Sequence, residues 1–346
     1  MTGLPFRLSG TEGLPSLLRG AYGVEVDALV RLKTVVGVVA ADGMRFVWKS
    51  ARPRDTERRL SLLALLADNL SDSGLPAAGP LPTRAGTYRV EVADGEFGYL
   101  QPWLPGRHVR FTEVEEKLTT VATLAHVHRW TARLTELDHP LVGGPEWHEL
   151  SGGTLDIKLF EKWRVFQQVW PVACEREPDI KSLEDEVRTA AEVALDAVRA
   201  ATERAELGAH ALPVPFRRAL CHRDVAPHNV LWTTAAAPVA LIDFDHAGWD
   251  DPLGDLMQVS NHTFALCDPG ARHFTDVLDA YQRICPLSAE RQLFAWKLLR
   301  FPDLVTRAVM EWARDDYPAQ GQRRVRDAAE KERLRQMRWR EAMYRL

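Results

Sequence analysis

Three oxygen-bearing side chains at fixed spacing constrain this chain more than any other feature. Asp224 lies in Cys221-His222-Arg223-Asp224-Val225-Ala226-Pro227-His228-Asn229, so Asn229 follows it by five positions. Asp243, in Leu241-Ile242-Asp243-Phe244-Asp245, follows Asn229 by fourteen. Apolar residues border both runs, as they would on short strands entering a buried site. A carboxylate that orients a hydroxyl, then an amide and a second carboxylate that hold Mg2+ on a nucleoside triphosphate, is the division of labour phosphoryl transfer needs. Such a reaction asks the protein for positioning and charge neutralisation more than for covalent chemistry.

The rest of the chain is compatible with that reading. Its 346 residues can build two lobes around separate cores, or one large domain. A formal net charge of −4 gives no support to a nucleic-acid-binding surface. The longest apolar runs, near 35–41 and 60–67, are too short for a membrane span. Cys174, Cys221, Cys267 and Cys285 stand far apart without a CxxC pair, which argues against a zinc or redox motif. The first residues, Met-Thr-Gly-Leu-Pro-Phe-Arg, lack the apolar stretch of a signal peptide, so the cytoplasm is the expected location.

Periodicity predicts an α+β chain. A short helix over 12–22 runs into β-rich segments at 24–26, 29–39 and 44–49, the last two joined by an Ala41-Asp42-Gly43 hairpin turn. Helical spacing of Leu60, Leu63, Leu66 and Leu70 follows, then strands near 87–92 and 97–101. This predicts an N-terminal nucleotide-binding lobe of antiparallel sheet over 1–101 and a hinge over 102–106. A larger, mainly helical lobe over 107–346 completes the chain, with helices at 113–130, 155–172 and 182–206. The tail 321–346 carries nine Arg/Lys against four Asp/Glu and reads as a solvated, basic amphipathic helix, with a docking surface for an anionic partner as the alternative.

Candidate site residues fall into place along this order. Lys49 ends a strand after Phe46-Val47-Trp48 and is expected to reach nucleotide phosphates, with Glu57 at the next helix start as its ion-pair partner. At the hinge, Gln101 would border a purine pocket. Pro102 has no N–H but keeps an accepting carbonyl, and Leu104 keeps a donating N–H, so the two can read an adenine edge. Asp224 is the candidate base, and Asn229 and Asp243 are oxygen donors of the kind Mg2+ prefers. Asp245 is a further candidate for metal or water positioning. His222 and Arg223 are expected to brace the loop, and Asp255, at a helix start in Asp251-Pro252-Leu253-Gly254-Asp255-Leu256, to accept N–H bonds from 222–229. His126 and His128, two apart on one helix, read as packing residues rather than metal ligands.

These motifs resemble the kinase-like superfamily and, within it, the aminoglycoside phosphotransferase branch. Residues 221–229 are similar to that branch's His-Gly-Asp-x-x-x-x-Asn loop, with Arg223 in place of the usual Gly. The resemblance implies a two-lobed protein-kinase-like fold, ATP and Mg2+ as cofactors, and transfer to a hydroxyl of a small molecule or a protein. Arg223 matches protein kinases, yet only twelve residues separate Asp243 from Asp255, too few for a long regulated activation segment. The region of about 150–212 resembles the branch's acceptor-site insertion, with Trp163, Trp170 and Asp250 as candidate contacts. Softer stretches resemble CotS-like spore-coat proteins: 17–26, Tyr99-Leu100-Gln101-Pro102-Trp103-Leu104-Pro105-Gly106-Arg107 and Leu124-Ala125-His126-Val127-His128. That narrower likeness implies spore-coat location and partners, and an inactive coat or scaffold protein as the alternative to an enzyme.

Overall fold

The computed structural model describes residues 13–32, 34–93, 95–136, 154–206, 219–233 and 238–344. The chain divides into one unit of 1–106 with 240–242, and a second of 107–239 with 243–346.

In the first unit, helix α1 (Leu14–Tyr22) stops where Gly23 takes a left-handed conformation and its N–H caps the Arg19 carbonyl. Five strands follow: β1 (Val26–Arg31), β2 (Val36–Ala40), β3 (Arg45–Ser50), β4 (Val90–Ala93) and β5 (Glu96–Pro102). They form one antiparallel sheet in the order β1-β2-β3-β5-β4. The expected single β segment over 29–39 is in fact two strands. The chain reverses after Arg31, with the Leu32 N–H donating to the Val35 carbonyl at 3.0 Å. No Gly or Pro marks that reversal, so the apolar run reads as continuous. The hairpin at Asp42-Gly43 forms with Gly43 at φ 86° and Asp42 accepting the Met44 N–H. Helix α2 (Glu57–Asp72) is capped by the Thr56 hydroxyl, which accepts the Arg59 N–H.

Alternation along β3 sorts its side chains between the two faces of the sheet. Phe46 and Trp48 join Leu14, Leu18, Val36, Val38 and Leu100 in one apolar cluster. Lys49 and Val47 lie on the opposite face, where register places Tyr99 and Gln101 beside them.

The second unit is mainly helical. Strand β6 (Arg107–His108) leads into α3 (Val114–Glu136), α4 (Leu155–Arg176) and α5 (Glu184–Glu206). Short strands β7 (Ala219–Cys221), β8 (Val230–Trp232) and β10 (Gly248–Asp250) carry the motif loops, and β9 (Val239–Leu241) runs from this unit into the 240–242 segment of the first. Strand β7 pairs antiparallel with β10, and β6 with β8. Helices α6 (Leu253–Leu266), α7 (Arg272–Gln282), α8 (Ala289–Leu298), α9 (Asp303–Arg314) and α10 (Ala319–Met343) complete the unit. Part of the expected 150–212 insertion lies outside the described residues; the remainder forms α4 and α5.

One expectation about this unit is corrected and one is refined. Trp170 is a core residue and the half-buried Trp163 packs against the same cluster: with Phe166 they pack against Val305, Val309 and Trp312 of α9 and Val325 of α10. Helix α10 is amphipathic, with Arg323, Arg324 and Arg333 exposed, but several of its charges are used internally. Arg326 pairs with Glu177, Arg338 with Asp268 and Arg340 with Glu186, while Arg335 and Glu332 pair in full burial. Arg335 also donates to the Leu299 and Phe301 carbonyls, and Glu332 accepts the Leu304 N–H, so this pair anchors the start of α9. A sequence count of charges does not reveal that so many are used internally.

One close contact in the sheet gives a test. A Cβ added at Gly98 would lie 2.1 Å from the Trp48 ring. Gly98→Ala is therefore expected to lower unfolding stability by about 1–3 kcal/mol, as overpacking does. Denaturant titration measures it, and an unchanged midpoint would show that Trp48 can move aside.

Candidate active site

Strand β7 delivers the chain to a loop whose shape is imposed by one buried carboxylate. Asp255, on the first turn of α6, accepts the His222 N–H at 2.7 Å and the Arg223 N–H at 2.8 Å. His128 of α3 donates from Nε2 to the same carboxylate at 3.1 Å, and its Nδ1 faces the Tyr281 hydroxyl at 3.2 Å. Burial alone would raise the Asp255 carboxyl. The hydrogen bond and charge of His128, together with His222 and the Arg223 N–H, bring it below the ordinary carboxylate range. Gln258, one turn further along α6, closes the clamp. Its Oε1 accepts the Val225 N–H at 2.7 Å and its Nε2 donates to the Arg223 carbonyl at 2.7 Å.

Arg223 sits at φ 64°, in the left-handed region that costs a side-chain-bearing residue about 1–2 kcal/mol. This conformation accounts physically for the Gly that the phosphotransferase-like motif carries here. The Arg223 guanidinium offsets the strain: Nε pairs with Asp250 at 3.0 Å and Nη2 donates to the Trp249 carbonyl at 2.9 Å, in near-complete burial. Gly248 leaves room for it, since a Cβ there would lie 2.4 Å from Nη1. Asp250 also accepts the Leu155 and Asp251 N–H groups, which ties the start of α4 to the loop. Burial pushes the Asp250 carboxyl up despite Arg223 and these donors. The same burial, with the charge of Arg223, brings the Lys158 ammonium down to about 8.

The loop brings Asp224 and Asn229 together. Asn229 Nδ2 donates to the Asp224 carbonyl at 3.0 Å and to Asp224 Oδ2 at 2.9 Å, so neither bond uses the amide's Oδ1. Asp243 takes a left-handed conformation, φ 63°, at the start of the turn Phe244–His246 that contains Asp245. His222 packs its ring on Phe244 at 4.8 Å between centroids.

In the first unit Lys49 is almost fully buried on β3. The Glu57 carboxylate is bonded to the Tyr88 N–H at 2.7 Å, 31 residues away. Gln101 is buried and places Nε2 3.5 Å from the Ala78 carbonyl. Pro102 stands opposite Phe46, and the Trp103 N–H bonds the Arg45 carbonyl. In an antiparallel ladder that pattern turns the Pro102 carbonyl away from β3, so the missing N–H costs the sheet nothing. Leu104 follows in irregular chain, half-buried.

Within the second unit a cavity of about 840 Å3 opens beside Asp224, walled by α4, α6, α9 and α10. Lys162 pairs there with Asp303 at 2.5 Å, and Arg307 with Glu311 at 2.9 Å. His262 is held below the usual imidazole value by burial and by the charge of Arg307. Trp163, Trp170 and Asp250 are not among the lining residues.

A family model described as "Phosphotransferase enzyme family" matches residues 32–294. The chain belongs to that family. Among solved structures it is similar to an aminoglycoside phosphotransferase from Alicyclobacillus acidocaldarius (TM-score 0.71, 18% identity, covering 94% of this chain and 95% of that one). It is also similar to spectinomycin phosphotransferase APH(9)-Ia in complex with ADP and spectinomycin (0.59, 13%, 92% and 96%). A third is amicoumacin kinase hAmiN in complex with AMP-PNP and Ca2+ (0.60, 14%, 93% and 93%). At these identities the likeness is one of fold, and it is the kinase-like fold with a sheet-bearing N-terminal part and a helical remainder. Comparison with the curated proteins finds no match. Among the described residues, no helix is long and apolar enough to cross a membrane.

Sequence reading missed how much of this phosphotransferase-family site is bracing. His128, Gln258, Tyr281 and Arg291, which grips Asp251 with two bonds at 2.7 and 2.8 Å, carry no motif of their own. His128 has one available signal: a His on an otherwise apolar helix face needs a buried partner.

Asp255→Asn is expected to cost about 3–5 kcal/mol, the range for breaking a buried charged network. Because the folded carboxyl lies below its ordinary value, its contribution is full above about pH 4. It fades as pH falls through the folded value, so the gap between wild type and variant should narrow on acidification. Urea titrations from pH 7 to 3 measure this, and a gap that widens with acid would refute it.

Proposed function

We propose that the protein transfers the γ-phosphoryl group of ATP to a hydroxyl held in the cavity beside Asp224. The observation that carries this reading is the joined Asp224–Asn229 pair, with Asp224 also lining a cavity large enough for a small molecule. The single nitrogen of the Asn229 amide is committed to Asp224, and its oxygen, with the Asp243 carboxylate, makes a donor set that suits Mg2+. When bound, the ion neutralises phosphate charge.

Each residue then has a stated task. Asp224 accepts a hydrogen bond from the acceptor hydroxyl and takes up its proton as the oxygen attacks phosphorus. The bond between the γ-phosphorus and the bridging oxygen breaks, the new oxygen–phosphorus bond forms, and ADP leaves with the electron pair. Lys49 supplies positive charge to phosphate oxygens, with Glu57, whose carboxylate also accepts the Tyr88 N–H, as the ion-pair partner that holds it in place. The Pro102 carbonyl and the Leu104 N–H read adenine beside Gln101. Asp245 orders water near Asp243, while His222, Arg223 and Asp255 hold the loop in its reactive shape.

The buried Arg223 guanidinium is used within the protein, so it gives no preference for a protein acceptor over a small molecule. The likeness to CotS-like proteins rests on the soft hinge and α3 stretches, and it adds spore-coat proteins as candidate acceptors or partners. A scaffold that binds nucleotide without transfer is the reading from a different class.

Two measurements separate these. MgATP at a hundred times its Kd should stabilise the wild type by about 2.7 kcal/mol, seen as a raised Tm, and ATP without a divalent cation should do less. Asp224→Ala should keep that stabilisation yet lower transfer to an acceptor by about 10²–10⁴-fold. Persistent failure of the wild type to transfer phosphate would favour the scaffold reading.

A further inference from the structure

The lining of the cavity beside Asp224 carries information about its occupant that the transfer reading does not use. Among the described residues, four carboxylates face five cationic side chains there. Two of the carboxylates are already neutralised, Asp303 by Lys162 and Glu311 by Arg307, and Arg314 pairs with Asp315. Asp224 and Asp327 are then balanced by Arg324 and Lys331, whose ammonium donates to the Ala265 carbonyl at 2.5 Å. A ligand with several ammonium groups would meet no surplus of negative charge among these residues.

A second observation points to the groups that bind instead. Asn261 lines the same cavity, one turn after Gln258 on α6, and is 4% exposed. Neither its Nδ2 nor its Oδ1 has a hydrogen-bond partner among the described residues. A buried amide left unpaired weakens a fold, and in a native protein it calls for a ligand or a water that completes it. An Asn amide offers donors and acceptors side by side, which complements two neighbouring hydroxyls, each itself donor and acceptor.

We propose that the acceptor is an uncharged polyol with neighbouring hydroxyls, and that Asn261 is the residue that selects it. This rests on the phosphotransfer reading and narrows it. Aminoglycosides, which carry several ammonium groups, fall outside the class, although the fold is shared with a phosphotransferase of that name.

The test measures MgATP-dependent phosphorylation by the full chain of two sets of probes: kanamycin and ethanolamine, and myo-inositol, D-glucose and sorbitol. The inference predicts kcat/KM at least tenfold higher for the best polyol than for either amine. Asn261→Leu should raise the KM of that polyol at least tenfold with kcat changed less than threefold, and should keep or raise Tm, since an unpaired amide is removed. Asn261→Asp, which adds a negative charge, should shift the amine-to-polyol ratio of kcat/KM at least fivefold toward the amines. Preference of the wild type for an amine overturns the inference and leaves the transfer reading intact. So does an Asn261→Leu variant that loses Tm and leaves KM unchanged, the mark of a purely structural residue. Failure to phosphorylate any probe while MgATP still raises Tm counts against both readings.

Discussion

Everything chemical in this molecule hangs on a single buried carboxylate that accepts two consecutive backbone N–H groups. Asp255 fixes His222 and Arg223 from behind and, with Gln258 and the Arg223–Asp250 pair, holds the left-handed turn at Arg223. The turn in turn sets the direction of the next residue, Asp224. A charge buried this completely is tolerable because its lone pairs are filled by main-chain donors and by His128, which is itself fixed by Tyr281. The loop 222–229 is thus a short, irregular stretch held by hydrogen bonds from α6, whose Asp255 is braced in turn by α3 and, through His128, by α7.

The same network reaches the wall of the cavity. Arg223 pairs with Asp250, and Asp250 caps α4 by accepting the Leu155 N–H. Gln258 holds the loop from the α6 face that, one turn later, presents Asn261 and His262 to the cavity. The buried Glu332–Arg335 pair fixes the start of α9, which forms another wall. The residue proposed to position the hydroxyl and the helices around its cavity are therefore parts of one hydrogen-bonded assembly within the second unit. Displacement of α4 would be felt at Arg223, two bonds from Asp224.

Much of this was legible in the sequence, and the limits have physical causes. The α+β class followed from an alternating-then-helical pattern, and the kinase-like fold was what the resemblance of the motifs around Asp224, Asn229 and Asp243 implied. Strand and helix positions such as β3, β5, α2 and α6 follow from short-range periodicity, which sequence displays directly. The β1–β2 reversal was hidden because residues 32–35 lack turn formers. Trp163 and Trp170 looked like pocket residues because a large aromatic serves core and groove equally well; only the packing of α9 and α10 decides. The arginines of α10 looked solvated because ion pairs with Glu177, Glu186 and Asp268 join positions 70 to 154 residues apart, beyond any local pattern. Gln258 and Asn261 were invisible for the same reason: a polar residue on a helix acquires meaning from what the fold sets beside it.

The most direct test of the account is native-state hydrogen exchange at the amides of His222 and Arg223, in the wild type and in Asp255→Asn. In the wild type both amides should exchange only through global unfolding, with protection equal to that of the α6 core. In the variant they should exchange at least a hundredfold faster than the α6 core amides, which remain protected. Equal protection of the two amides and the core in both proteins would contradict the claim that Asp255 holds the loop.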